Sequence, residues 1–146
     1  IIGSDSDLAN LVKNYKYALI TTGQIKSSAV RIKLYELATN IGYIFPKICS
    51  PRAYISRHSK IGNGTIVMHD VVINANTEIG DNCIINSKAL IEHDCKINSH
   101  CHISTRATIN GNVTIGKSSF IGSNSIIKQG VSILRDSFIK AGSINK

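Results

Sequence analysis

Five histidines are the side chains in this chain best suited to chemistry near neutral pH: His58, His69, His93, His100 and His102. Among them His93 has a distinctive setting, Glu92-His93-Asp94. A carboxylate beside an imidazole can hold the proton on one ring nitrogen and sharpen the other as a general base. The same triplet also suits an ordinary surface turn, and residue types alone leave both readings open. His102 lies nine positions further on, in line at 18-residue spacing with the apolar Ile66, Ile84, Phe120 and Phe138. A polar ring placed there must find a partner.

The elements that would position these rings are set by an apolar period. Every sixth residue from Ile55 to Ile139 is Ile, with Val67 as the exception, and the residue two before each later member is small, as at Thr65, Cys83, Ala89 and Ser119. Side chains two apart on a strand share a face, so each repeat buries one small and one branched residue against a common interior. The period predicts short parallel strands that turn a corner every six residues, three to a coil of 18, stacked as a parallel β-helix. His93 falls just past its strand, at a corner, and so is exposed. His102 immediately precedes an inward isoleucine and so points outward. Half a coil separates the two, which puts them on different sides of the prism.

Outward residues stack every 18 positions. Tyr54, Val72, Leu90, Thr108 and Ile126 form one column; Ile66, Ile84, His102, Phe120 and Phe138 a second; Lys60, Glu78, Lys96, Thr114 and Ser132 a third. Two faces are therefore apolar outside and ask for a partner. Two different adhesive faces at a prism angle suit a heterologous contact that closes into a ring, so a homotrimer is expected. His93 and His102 could then share a site only across a subunit boundary. Asparagines and glycines at the corners, Gly62, Asn74, Gly80, Asn86, Asn98, Asn110, Gly111 and Gly116, are expected to relieve left-handed backbone angles. Gly111, one coil beyond His93, is expected to leave room for a ligand. A zinc site needs imidazoles converging from neighbouring coils, and no two histidines are 18 apart.

Residues 1–47 follow another pattern. Ser6 can cap a short helix carrying Leu8, Leu11 and Val12, and Tyr17 to Ile20 reads as a buried strand ending at Thr22-Gly23. Ser27 or Ser28 can cap a second helix with Val30, Leu34, Leu37 and Ile41 on one face and Gly42 as its stop, before a strand at Tyr43-Ile44-Phe45. This is half of a small α/β unit, whose other half is expected before Ile1, and residues 48–146 form the β-helix. Lys and Arg outnumber Asp and Glu by 17 to 9, for a net charge of +8, which suits either an anionic ligand or a lysine-rich surface. No basic cluster with interleaved aromatics points to nucleic acid. No apolar run reaches transmembrane length, and no signal-like start is present, so a cytoplasmic protein is expected. Cys83, Cys95 and Cys101 occupy small inward slots, where cysteine packs as a compact hydrophobe.

With these motifs assembled, the stretches MHDVVINA (68–75), NSKALIEHD (86–94), HCHIS (100–104) and NGNVTIGKSSFIGSNS (110–125) resemble the bacterial sugar acetyltransferases that modify UDP-4-amino-sugars or sialic acid for surface glycans. The resemblance implies a left-handed β-helix, a homotrimer, acetyl-CoA as donor, and a nucleotide-sugar pocket in an N-terminal Rossmann-like α/β domain. It implies His93 as the base and Asp94 as the carboxylate that sharpens it. It implies His102 beside the thioester, Ser123 and Ala141 against the cofactor, Gly23 on the nucleotide sugar and Asn86 on the acceptor. The glycine-rich first turn of such proteins is absent from this sequence, as is a C-terminal extension, and Lys140-Ala141-Gly142 stands where a more glycine-rich run is usual. The expected activity is acetylation of the amine of a nucleotide-linked amino sugar. A sialic acid O-acetyltransferase is the alternative, followed by a non-catalytic trimeric β-helix scaffold and a zinc-dependent β-helix enzyme.

Overall fold

The computed structural model describes residues 2–145. Among these, seventeen two-residue parallel strands recur every six residues, from Ile48–Cys49 to Ile144–Asn145. Each pairs with the strand 18 residues away, as in His102↔Ile84 and His102↔Phe120. The strands sort into three sheets around a solenoid of about five turns, of six, six and five strands. The first sheet carries His102, Phe120 and Phe138 outward. The second carries Tyr54, Val72 and Leu90, and the third Lys60, Glu78 and Lys96. The three columns read from the sequence are these three outer faces.

Inside, the register is the expected one. Ile73, Ile85, Ile91, Ile103, Ile109, Ile115, Ile121 and Ile127 are fully buried, with Val71, Cys83, Ala89, Cys101 and Ala107 between them. Each fully buried branched side chain is worth about 1.5–3 kcal/mol. The polar members of the small slots are satisfied: Thr65 and Thr77 donate through Oγ1 to the Gly80 and Glu92 carbonyls, each at 2.7 Å. No buried hydroxyl is thereby left to offset the apolar gain.

The corners differ from expectation. From Gly64 onward the left-handed residue is the third of each corner, at Gly64, Asp70, Asn76, Asn82, Lys88, Asp94, His100, Arg106, Asn112, Ser118, Asn124, Gly130, Asp136 and Gly142. The asparagines and glycines expected there stand at other corner positions and serve other ends. At Gly62, Gly80 and Gly116 a Cβ would run into the backbone of the next coil. Asn98 and Asn110 reach across through Nδ2 to the Ile115 and Ile127 carbonyls, both at 2.8 Å.

The N-terminal residues form a small unit lying against the first sheet. Its first helical turn is capped by Ser4 rather than Ser6, with Asp7 completing a capping box, and leads into α1 (Leu8–Leu11). Helix α2 (Ala29–Ile41) starts at Ser28 and ends at Gly42, whose φ of 106° lets the chain turn back. The inward face of α2 is rotated from the expected one: Arg31 and Ala38 are buried, whereas Val30 is 62% exposed. Tyr17 to Ile20 is not a buried strand. It makes one parallel bridge, Tyr17↔Ile44, and alternates, with Ile20 buried and Tyr17 and Leu19 exposed.

Candidate active site

His93 and Asp94 are the second and third residues of the corner between the second and third sheets. The His93 ring leans towards the following coil, over Gly111, the equivalent residue 18 positions on. A Cβ at Gly111 would stand 2.8 Å from both Cε1 and Nε2 of that ring. The space expected at Gly111 thus exists, but the imidazole takes it. His93 Nδ1 lies 2.7 Å from Asp94 Oδ2. A carboxylate only accepts, so Nδ1 carries the proton and Nε2 is left as the basic nitrogen. Asp94 is steadied from below by Asn76, which donates through Nδ2 to Oδ1 at 3.2 Å. The hydrogen bond from His93, and secondarily that from Asn76, hold the Asp94 carboxyl below its ordinary range. Glu92, the other acidic neighbour, turns away and accepts from Asn74 Nδ2 at 2.7 Å. The His93 and Asp94 side chains are 55% and 51% exposed, so within one chain the base faces open solvent.

His102 sits on the first sheet, across the prism from that corner. It is buried, and its cover comes from the same chain: Nδ1 lies 2.6 Å from the Gln24 carbonyl oxygen. A carbonyl accepts only, so His102 also carries its proton on Nδ1. Its Nε2 points towards Asn86, whose Nδ2 is 3.4 Å away, and its ring meets Phe120 edge to face at 5.1 Å. Burial pushes the imidazole below its ordinary pKa; the Gln24 carbonyl pulls the other way, and the Arg31 charge adds to the lowering. His102 is therefore neutral near pH 7.

Ser123 and Ala141 stack at the second position of the corner between the first and second sheets. Ser123 Oγ meets Ser104 Oγ at 2.8 Å, and the Ser123 carbonyl accepts from Gly142 N at 2.9 Å. Gly122 is needed there, because a Cβ would strike the Ala141 backbone. Asn86 begins the same corner two coils earlier and Ser104 one coil earlier, so that Asn86 meets His102 and Ser104 meets Ser123 along this edge of the prism. Gly23 ends the Ile20 segment, exposed and with open space around it. One chain thus holds two separate sets, His93 with Asp94 and Gly111 on one corner, and His102 with Asn86, Ser123 and Ala141 about the first sheet. Gln24, Arg31, Asn76 and Ser104 escaped the sequence reading. Only Asn76 and Ser104 carried a signal, standing one coil from Asp94 and one coil before the Gly122–Ser123 turn. Among the described residues, no three His, Cys, Asp or Glu side chains converge as a metal site.

Residues 58–93 and 76–111 match the bacterial transferase hexapeptide family (six repeats). The solved perosamine N-acetyltransferase of Caulobacter crescentus, a single-histidine variant in complex with CoA and GDP-perosamine, is 30% identical. It superposes with a TM-score of 0.93 over 99% of this chain and 68% of its own. The chain belongs to the hexapeptide-repeat sugar acetyltransferases. Another acetyltransferase of this kind, the acetyltransferase domain of PglB from Neisseria gonorrhoeae in complex with acetyl coenzyme A, is 27% identical, with a TM-score of 0.90 over 100% of this chain and 72% of that one. WeeI from Acinetobacter baumannii shares the fold, at 22% identity and a TM-score of 0.54 over 90% of this chain and 68% of its own. No match is found among curated proteins. The family's acetyl donor is acetyl-CoA, and the sugar acetyltransferases seen with CoA or acetyl-CoA share the solenoid on which both histidine sets stand. No helix among the described residues is long and apolar enough to cross a membrane.

Proposed function

We propose that this chain transfers the acetyl group of acetyl-CoA to the amine of a nucleotide-linked amino sugar, with His93 as general base. The observation that carries this reading is the half-exposed His93 ring seated over Gly111, with Nδ1 tied to Asp94 and Nε2 making no hydrogen bond among the described residues. His93 Nε2 takes the proton that the amine sheds as its nitrogen bonds to the acetyl carbon. It returns that proton to the sulfur as the C–S bond breaks, so the products are an amide and a thiol. Asp94 stabilises the imidazolium that forms in between, because its carboxylate already accepts from Nδ1. The Caulobacter enzyme retains both CoA and GDP-perosamine when one histidine is replaced by asparagine or alanine, as a chemical rather than a binding role for that histidine would allow.

The remaining assignments belong to the same proposal. His102, Ser123 and Ala141 contact the donor, with Asn86 and Gly23 on the acceptor side. Gly111 serves the site by seating the base. Residues 1–47 are the C-terminal part of a Rossmann-like unit that holds the nucleotide sugar, and residues 48–146 are a left-handed β-helix. The assembly is a homotrimer that works in the cytoplasm, where acetyl-CoA is made and used. The trimer reading is supported by the separation of the two residue sets and by the exposure of Tyr54, Ile126, Phe138 and Ile144 on two outer faces. The test is thiol release from acetyl-CoA with a panel of nucleotide-linked amino sugars and free sialic acids. Turnover confined to the amines supports the proposal, and turnover confined to sialic acid hydroxyls replaces it with O-acetylation.

A further inference from the structure

The segment that ends at Gln24 is fixed by a buried cation. Arg31, in the first turn of α2, is 1% exposed, unusual for arginine without a carboxylate partner. Its Nη1 donates to the Ile20 carbonyl at 2.6 Å and the Thr22 carbonyl at 2.9 Å, while Nε points at the Asn82 carbonyl at 3.5 Å. Two residues beyond Thr22, Gln24 makes two contacts with the solenoid, one to the strand bearing His102 and one to the corner just before it. Its side-chain Nε2 donates to the His100 carbonyl at 2.6 Å, and its own carbonyl receives the proton of His102 Nδ1, also at 2.6 Å.

These contacts form a single chain of constraint. The guanidinium holds two carbonyls of the segment, the Gln24 amide pins the segment to the solenoid, and a third carbonyl is thereby presented to the imidazole. We propose that Arg31 is a positioning residue for His102, acting through Ile20, Thr22 and Gln24 to keep the imidazole in its Nδ1–H tautomer with Nε2 unprotonated and facing Asn86 Nδ2. This rests on the reading of His102 as the histidine beside the acetyl donor. A neutral imidazole has two tautomers, and the acceptor at Nδ1 chooses between them. With the proton held there, His102 meets the donor as a hydrogen-bond acceptor and not as an acid. The Arg31 charge reinforces this by disfavouring the imidazolium. A residue kept only to staple the N-terminal unit to the solenoid would not need a buried guanidinium, whose Nη2 finds no acceptor among the described residues.

The experiment is long-range ¹H–¹⁵N spectroscopy of the ¹⁵N-histidine-labelled chain, with His102 assigned by its loss in His102→Gln, alongside steady-state kinetics. In the unaltered protein His102 shows one Nδ1–H tautomer. In Arg31→Lys, which keeps the charge but not the fork, the two His102 nitrogen shifts move towards each other. The His93 signals stay in place, and kcat falls about tenfold, the loss expected for one misdirected hydrogen bond. Gln24→Ala removes the tie to the His100 carbonyl without touching the guanidinium; it carries the test should the Arg31 variant fail to fold, and the same spectral change is expected. An unchanged His102 tautomer in a folded Arg31→Lys or Gln24→Ala protein overturns the proposal, whatever the rate. Undiminished kcat in His102→Gln overturns instead the donor-side reading on which it rests.

Discussion

Gly111→Ala separates catalysis from stability in this fold. The added Cβ would lie 2.8 Å from His93 Cε1 and Nε2 and 3.4 Å from Nδ1. Carbon contacts settle at about 3.5–4.0 Å, so the ring must retreat by about 1 Å. Its 2.7 Å hydrogen bond to Asp94 then stretches beyond the useful limit of about 3.2 Å. A displacement of that size at a reacting group costs about 10²-fold in rate. The backbone bears no such burden, because Gly111 does not adopt a left-handed φ. Replacing glycine by alanine at a compatible site stabilises by about 0.4–1 kcal/mol through the unfolded state. His93 is exposed and can swing outward without disturbing the core. The variant should therefore lose about two decades of kcat in a thiol-release assay while its melting temperature holds or rises slightly. In a His93→Ala background the same change should have no further effect on rate, since the two positions act as one. Activity within twofold of the parent, or a loss of melting temperature in step with a loss of rate, would refute the seating of the base over Gly111.

Other outcomes follow from the same geometry. His93→Ala should lower turnover by about 10²–10⁴-fold while leaving acetyl-CoA affinity, measured by calorimetry, nearly intact. Ile103→Asp places a carboxylate at a fully buried core position and should abolish the folded protein; a soluble variant with an unchanged melting temperature would contradict the six-residue register. Burial holds His100 and His102 below the ordinary histidine pKa, so the native state prefers them neutral and the unfolded chain binds protons first. The stability they confer is present above about pH 6.5 and is lost as pH falls from there through their lowered native values. The melting temperature should drop between pH 7 and pH 5, and His102→Gln should flatten that slope.

The solenoid was legible in the sequence because its core repeats every six residues, and each inward isoleucine and outward column follows from counting. The position of His93 at an exposed corner followed from the same arithmetic. The choice of Asp94 over Glu92 did not, because it depends on which way two adjacent side chains leave a corner, and Asn74 and Asn76 in the preceding coil decide that. The left-handed corner residues were misplaced for a related reason. Composition points to asparagine and glycine, but the third corner position takes the positive φ even where it holds Lys88, Arg106 or His100. Cover for His102 was expected from a neighbouring subunit, yet it comes from Gln24, 78 residues away in the chain. Contact at that range between a non-repeating segment and a repeat leaves no periodic trace. Arg31 was hidden likewise, since an arginine beside Val30 on a short helix reads as the polar face.

The stacking of coils at one strand spacing has a bearing on how such proteins diversify. The N-terminal unit grips the solenoid at Asn82, His100 and His102, the level at which the His93 corner also emerges. Duplicating or deleting one 18-residue coil between that grip and the corner of Ser123 and Ala141 would slide the two apart or together by about 4.8 Å, leaving every inward isoleucine in phase. Substrate length could then change in fixed increments, as on a ratchet, without any new core having to be invented.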